Sequence, residues 1–348
     1  MAAASPTLPT IGDVARRAKV STATVSRAVN APDSVRDELR TRVEAAIVQL
    51  GYVPHAGART LKSRRTGTIG AIFPTVDNAI FATAINALQR RLAEADHQLL
   101  IATHDYSPAT EESQALNLLT RGADALVLCG TGQRPALLAR LKSRGVPVVH
   151  VMNWPPPTGL ACVGFDNARA MEQVVRYLLD LGHRRIAMLA GVTRDNDRAA
   201  ARLAGVRDAL AAAGLTLPAS RVVERRYGLA PAREGLQRLM EVTPPPTAIV
   251  CGNDVLAFGA LFEAQRLGLA VPHDLSIIGF DDLELASHLQ PALTTVRVPA
   301  EAMWRRAADH VLALLRGEEP PPASEIEVSL VVRGSTGPPA SRQRGPRR

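Results

Sequence analysis

Aromatic residues are scarce, at only 3% of the chain, so the interior must be built mainly from Ala, Val, Leu and Ile. Cysteine is scarcer still. Cys129, Cys162 and Cys251 lie far apart in apolar contexts (LVLCG, LACVG, AIVCG), and no pair has metal-ligand spacing. Buried structural thiols are expected, and no metal. No run approaches the roughly 18 apolar residues of a membrane span. The start, MAAASPTLPT, lacks the basic and apolar regions of a signal peptide, so a cytoplasmic protein is expected. There is no Ser/His/Asp set, phosphate loop or GxGxxG after a strand, which argues against an enzyme and leaves no cofactor expected. No leucine heptads follow Val332, so no tetramerising helix is expected.

What the sequence does contain is unevenly charged. The formal charge is +8 over 348 residues, a length suited to two or three domains. Residues 1–66 hold eleven Lys/Arg against five Asp/Glu, and 333–348 hold five Arg and no acid, leaving a mildly acidic middle. A basic head on an acidic body points to a polyanion partner for the head. The Pro/Gly/Arg-rich end has too little apolar content to bury a core, and disorder is expected over 335–348.

The head, DVARRAKVSTATVSRAVN over 13–30, carries two helical patterns around Lys19-Val20-Ser21. Ile11, Val14, Ala15 and Ala18 share one face, with Thr10 as a candidate N-cap. Ser21 caps the second pattern, whose Val25 and Val29 face inward while Thr22, Ala23, Ser26 and Arg27 face out. A longer stripe of Val35, Leu39, Val43, Ala46, Ile47 and Leu50 ends at Gly51. Three helices in so short a span make a small bundle with the short middle helix's polar side outward. That is helix-turn-helix logic, in which a recognition helix enters the major groove with short side chains first. Thr22 and Ala23 allow close approach, Thr24 and Ser26 can donate to phosphates, and Arg27 can reach a guanine edge or a phosphate.

The run TIGDVARRAKVSTATVSRAVN, continued by VEAAIVQLGYVPHAGARTLKSRRTGTIGAIFP, closely resembles the head of the LacI/GalR family of bacterial transcription regulators. The resemblance implies a helix-turn-helix domain over 9–53 and a hinge helix over 54–66. Lys19 stands where the family usually has Gly, so it should adopt a left-handed conformation at a cost of about 1 kcal/mol. Leu61 matches the family's minor-groove wedge, and His55 stands where Asn is common. Gly57 weakens the hinge helix, which should therefore form only on DNA.

From Thr68, short apolar runs alternate with amphipathic stretches. TIGAIF, HQLLIAT, ADALVLC and VPVVHVM alternate with helices over Ala79–Ala95, Glu111–Thr120 and Pro135–Ser143. HRRIAMLAG, TAIVCGND and LSIIGFDD, with helices over Arg198–Ala213 and Val255–Leu267, form a second set. Two βα sets predict two lobes, each on a parallel sheet. The expected fold is an all-α helix-turn-helix domain followed, over 67–334, by a two-lobed α/β domain resembling periplasmic binding proteins.

The resemblance places an effector between those lobes, and open α/β sheets bind ligands at the carboxyl ends of their strands. Arg202 matches the family's ligand-gripping arginine, and Asn253, Asp281 and Phe81 match other contacts. Each has an alternative role: a surface ion pair for Arg202, a helix cap for Asn253 or Asp254, a turn for Asp281-Asp282, core for Phe81. After VPVVHVM many members carry an Asp for the sugar; here the chain reads Met152-Asn153-Trp154-Pro155. Trp154 either stacks on a pyranose or anchors a Pro-rich loop. The expected protein is a homodimeric regulator, a repressor, which binds palindromic double-stranded operator DNA and answers to a sugar or sugar acid. A ligand-independent DNA-binding protein, and more remotely an α/β enzyme, remain as alternatives.

Overall fold

A computed structural model describes residues 8–53, 65–157, 159–319 and 323–340. The chain divides into two compact units, Met1–Thr66 and Gly67–Arg348. His55 and Leu61 lie outside the described residues.

The first unit holds helices α1 (Ile11–Ala18), α2 (Thr22–Asn30) and α3 (Asp37–Leu50), with a 3-10 turn at Pro32–Ser34. Thr10 and Asp13 form a reciprocal capping box on α1. The Ser21 side chain accepts from the Thr24 N–H at 3.1 Å and so caps α2. Lys19 is left-handed (φ 52°, ψ 49°), as the missing glycine required. Arg42 of α3 donates to the Ala18 carbonyl at this turn, a support that sequence spacing did not reveal. Val14, Val25 and Val43 are fully buried; each contributes roughly 1.5–3 kcal/mol by leaving water. Val29 is half-buried against the same core as expected, and Ala28 is buried beside Val25 as well. Gly51 ends α3 in the left-handed conformation (φ 60°).

The second unit contains two six-stranded sheets. β1 (Thr68–Phe73), β2 (Gln98–Thr103), β3 (Ala125–Cys129), β4 (Val148–Val151), β5 (Ala161–Gly164) and β11 (Ala323–Glu325) run in the order β11-β5-β4-β3-β1-β2. β6 (Ile186–Gly191), β7 (Val222–Arg225), β8 (Ala248–Cys251), β9 (Ser276–Asp281), β10 (Thr294–Arg297) and β12 (Ser329–Val331) run β12-β10-β9-β8-β6-β7. All pairs are parallel except β10 with β12. The central strands are buried on both faces, hence their continuous apolar runs.

The expected helices are present, α6 (Pro135–Ser143) with the expected ends and α4 (Ala79–Ala93), α5 (Pro108–Thr120), α8 (Asp197–Ala212) and α10 (Asp254–Arg266) with shifted ones. α5 starts earlier than its apolar pattern because Ser107 caps it and Pro108 occupies its first turn. Elements that sequence alternation left unassigned are strands β5, β7, β10, β11 and β12 and helices α7 (Asn167–Asp180), α9 (Leu229–Met240), the short α11 (Leu285–His288) and α12 (Ala300–Arg316). α7 leaves the first sheet and packs on α8 in the second lobe, while α12 returns from the second lobe to pack on α4. The α7–α8 contact is close because a Cβ at Gly205 would lie 2.3 Å from the Ala168 carbonyl oxygen.

The expected disorder over 335–348 is corrected at its start. Ser335 is fully buried, accepting from the Thr294 N–H (2.8 Å) and donating to the Ile277 carbonyl (2.6 Å). The Gly337 carbonyl oxygen lies 2.9 Å from a His183 ring nitrogen. The polar hydroxyls that make this segment read as loop serve here to pair backbone groups of β9 and β10. No described helix is long and apolar enough to cross a membrane.

Replacing Thr10 by Ala removes one half of the capping box. The expected cost is about 1 kcal/mol, seen as faster hydrogen exchange across α1; unchanged exchange there would contradict the assigned cap.

Candidate functional site

On the first unit, α2 presents an outward row. Thr22, Ala23 and Arg27 are exposed, and Thr24 and Ser26 are half-buried. Thr24 is partly committed, its hydroxyl 2.9 Å from that of Ser21. The Ser26 carbonyl accepts from Asn30 at 2.8 Å. Arg27 bonds only to the Ala23 carbonyl, at 3.4 Å, and keeps donors for a partner. The row is short-chained at the N-terminal end of α2 and cationic one turn later.

In the second unit, β1 of one sheet is flanked by β2 and β3, and β6 of the other by β7 and β8. These are topological switch points, where the loops at the strands' carboxyl ends diverge and leave a crevice. The two crevices meet in a cavity of about 450 Å³, lined by Asn78, Asp105 and Tyr106 from the first lobe and by Asn196, Arg226 and Tyr227 from the second, among others. That volume suits a small polar molecule. The Tyr106 and Tyr227 rings face each other with centroids 6.0 Å apart. Arg226 reaches Asp105 across the mouth at 3.6 Å, but both side chains are largely exposed and the pair contributes little.

Behind the tyrosines a further space of about 20 Å³, room for about one water, is lined by Phe81, Arg202, Asn253 and Asp281 together with Asn196 and Arg198. Four of the five anticipated ligand residues therefore meet. Arg202 is buried, donates from Nη1 to Asn167 Oδ1 at 2.8 Å and lies 4.8 Å over the Phe280 ring. Its Nε has no partner among the described residues. The surface ion pair considered for it is thereby replaced by a buried, half-satisfied guanidinium. Asn253 does cap α10, accepting from the Leu256 N–H at 3.0 Å, and lines the cavity as well. Phe81 packs edge-to-face on Phe73 at 5.8 Å and forms part of the same wall. Asp281 ends β9 with φ 116°, a conformation that non-glycine residues rarely adopt and that marks functional sites. Burial, then the neighbouring Asp254, push its carboxyl well above the ordinary carboxylate range, against the opposing effect of Arg202. Trp154 is half-buried and lines neither space, which leaves the loop-anchoring alternative for it.

Asn196, Arg198, Tyr106 and Tyr227 were not singled out by sequence reasoning. Asn196 caps α8 and Arg198 lies in its first turn, where the mixed charges gave no catalytic spacing, and the tyrosines follow β2 and β7 with no periodic signal. Arg198 is buried beside Asp197, to which Nη1 donates at 3.0 Å. No group of His, Cys, Asp or Glu suited to a metal occurs among the described residues. The three cysteines are buried, and burial raises the Cys129 and Cys162 thiols to about 12.

A helix-turn-helix unit joined to a two-lobed α/β unit with a polar cleft defines a ligand-responsive DNA-binding regulator. Residues 10–55 match the bacterial regulatory proteins of the lacI family, and 175–336 match the periplasmic binding protein-like domain. The HTH-type transcriptional regulator GntR of Escherichia coli K12 is 33% identical over 90% of this chain and 94% of its own. The lac repressor dimer bound to operator and the anti-inducer ONPF superposes with a TM-score of 0.84 at 26% identity, over 95% of this chain and 100% of that one. The transcriptional regulator CelR in complex with cellobiose has a TM-score of 0.70 at 30% identity, over 94% of this chain and 99% of that one. The chain belongs to the LacI family of transcriptional regulators.

Asp254, beneath the cleft, offers a test of its electrostatics. It is fully buried, accepting from the Thr295 hydroxyl (2.6 Å) and the Leu283 N–H (2.7 Å), and burial lifts its pKa to about 7. The folded state thus keeps a proton that the unfolded chain releases near pH 4. The stability from Asp254 is complete below about pH 4 and declines as pH rises to about 7, by on the order of a few kcal/mol. Asp254→Asn stays neutral, keeps an acceptor for the Leu283 N–H and offers its amide N–H to the Thr295 hydroxyl, which then accepts. Thermal unfolding of the variant should decline less over that window than the parent's; parallel curves would contradict the assignment.

Proposed function

We propose that this chain is a homodimeric repressor in which α2 reads one half-site of a two-fold-symmetric operator and the cleft binds a small polyhydroxylated effector, a sugar or a sugar acid. The observation that carries the reading is the meeting of two sheets' carboxyl ends at a cleft furnished with Arg202, Asp281 and a pair of tyrosine rings. A guanidinium fork suits a carboxylate or vicinal hydroxyls. A protonated Asp281 can donate as well as accept. The tyrosine faces suit the apolar side of a sugar ring. The cellobiose bound to CelR supports the sugar class.

On DNA, Thr22 and Ala23 let the start of α2 approach the bases, Thr24 and Ser26 donate to phosphates, and Arg27 reads a base or phosphate. Leu61, by its match to the family wedge, opens the central step from the minor groove, and His55 is carried over as a DNA contact from the same match. Exposed Phe262 and Leu285 on the second lobe provide apolar surface for a second copy of the chain.

Selection from random duplexes with the full chain should enrich sequences with two-fold symmetry. On the enriched sequence Arg27→Ala should weaken binding by about 1–3 kcal/mol if Arg27 reads a base. No enrichment would overturn the regulator's proposed mode of reading, and unchanged affinity would remove Arg27 from it.

A further inference from the structure

The polar contacts between the lobes converge on one carboxylate. Asp197 opens α8 on the second lobe. Its Oδ2 accepts from the backbone N–H of Thr131 (2.6 Å), from the Thr131 hydroxyl (3.4 Å) and from Asn153 Nδ2 (2.6 Å), all on the first lobe. Its Oδ1 accepts from the N–H and Nη1 of Arg198. Asn153 is committed in turn. Its second amide N–H goes to Thr131 Oγ1 (3.0 Å), and its Oδ1 accepts from Asn167 Nδ2 (3.1 Å). Asn167 Oδ1 takes the bond from Arg202. One connected network thus runs from the crossing segment at Asn167 through both lobes to the arginine at the inner space.

The backbone is shaped for this approach. At Gly130 (φ +78°) a Cβ would fall 2.6 Å from Asp197 Oδ1 and 2.2 Å from Arg198 Nη1. At Gly164 a Cβ would fall 2.2 Å from the Asn153 carbonyl oxygen. Side chains at either place would push apart the groups that meet. The Asp105–Arg226 pair at the mouth is exposed, so the Asp197 contacts are the shielded ones, and charge-assisted bonds there are the stronger kind. Burial works against ionisation of Asp197, but Arg198 and the Thr131 N–H more than offset it and hold the carboxyl below its ordinary range.

We propose that Asp197, Asn153 and Thr131 form a built-in clasp that closes the two lobes without an effector, and that the amide at position 153 is the residue on which the clasp depends. The proposal deepens, and rests on, the reading of the cleft as the effector site. Both N–H groups of Asn153 serve the clasp, so the closed cleft offers a ligand no donor there. Selectivity then lies with Arg202, Asp281 and the two tyrosines. An aspartate at 153 would set a second carboxylate against Asp197 and remove the donor that joins the lobes.

The test is the distance between the lobes in the full chain. Spin labels on cysteines introduced by Ala109→Cys on α5 and Ala230→Cys on α9 are both exposed, and the native cysteines are buried. Labelled chains diluted in excess unlabelled protein restrict the signal to one chain. Without ligand, the parent should show a single short distance. Asn153→Asp should replace it with a longer, broader distribution. A short distance retained in Asn153→Asp overturns the proposal. If Asn153→Asp does not fold, Asn153→Ala removes the same donor without adding charge, and a short distance there also overturns it. No DNA or effector enters the measurement, so failure of the clasp leaves the DNA-binding reading standing, and failure of that reading leaves the clasp measurable.

Discussion

Charge buried at the cleft must be paired or neutralised, because a lone ion taken out of water costs several kcal/mol or more. Arg198, Arg202, Asp254 and Asp281 are all nearly without solvent there. The chain meets the constraint in three ways. Arg198 is set against Asp197. Asp254 and Asp281 are shifted toward the protonated form. Arg202 is laid on the Phe280 ring with one amide partner and one unpaired Nε. The unpaired donor is where a ligand acceptor gains most, since satisfying a buried group recovers its desolvation cost.

The same constraint ties the cleft to the rest of the second unit. The chain passes between lobes after β5, after β10 and between β11 and β12, so lobe movement is confined to bending at these crossings. Asn167 stands at the first of them and is bonded to both Asn153 and Arg202. A ligand that changes Arg202's partners therefore acts on a group already joined to the crossing. Discrete lobe arrangements of this kind give a ligand something to select, provided that it prefers one of them.

Much of this was legible in the sequence, for local reasons. Thr10, Ser21, Lys19 and Gly51 follow from backbone caps and handedness, which need no distant partner. Alternating apolar runs announced the central strands and the helices between them. Periodicity did not expose α7 and α12, whose meaning lies in which lobe they join, a matter of long-range packing. The asparagine after β8 is both a cap and a cavity wall, and spacing alone cannot separate those roles. Trp154 drew attention by its chemistry, yet it lines neither space. Asp197 and Arg198 gave no spacing signal because their partners at 129–153 are far away in sequence. Ser335 and Thr336 read as loop residues; instead Ser335 completes the backbone pairing of buried strands and the Thr336 hydroxyl bonds that of Thr294.

The central claim is that operator and effector bind at separate sites with a shared free energy. Coupling of that kind is reciprocal: the factor by which effector changes operator affinity must equal the factor by which operator changes effector affinity. The decisive measurement is a pair of titrations on one preparation, the full chain with its selected operator across a series of effector concentrations, and with effector in the presence and absence of that operator. The account predicts equal factors, on the order of 5–150-fold. A factor of one in both titrations, with each ligand still bound, would contradict it.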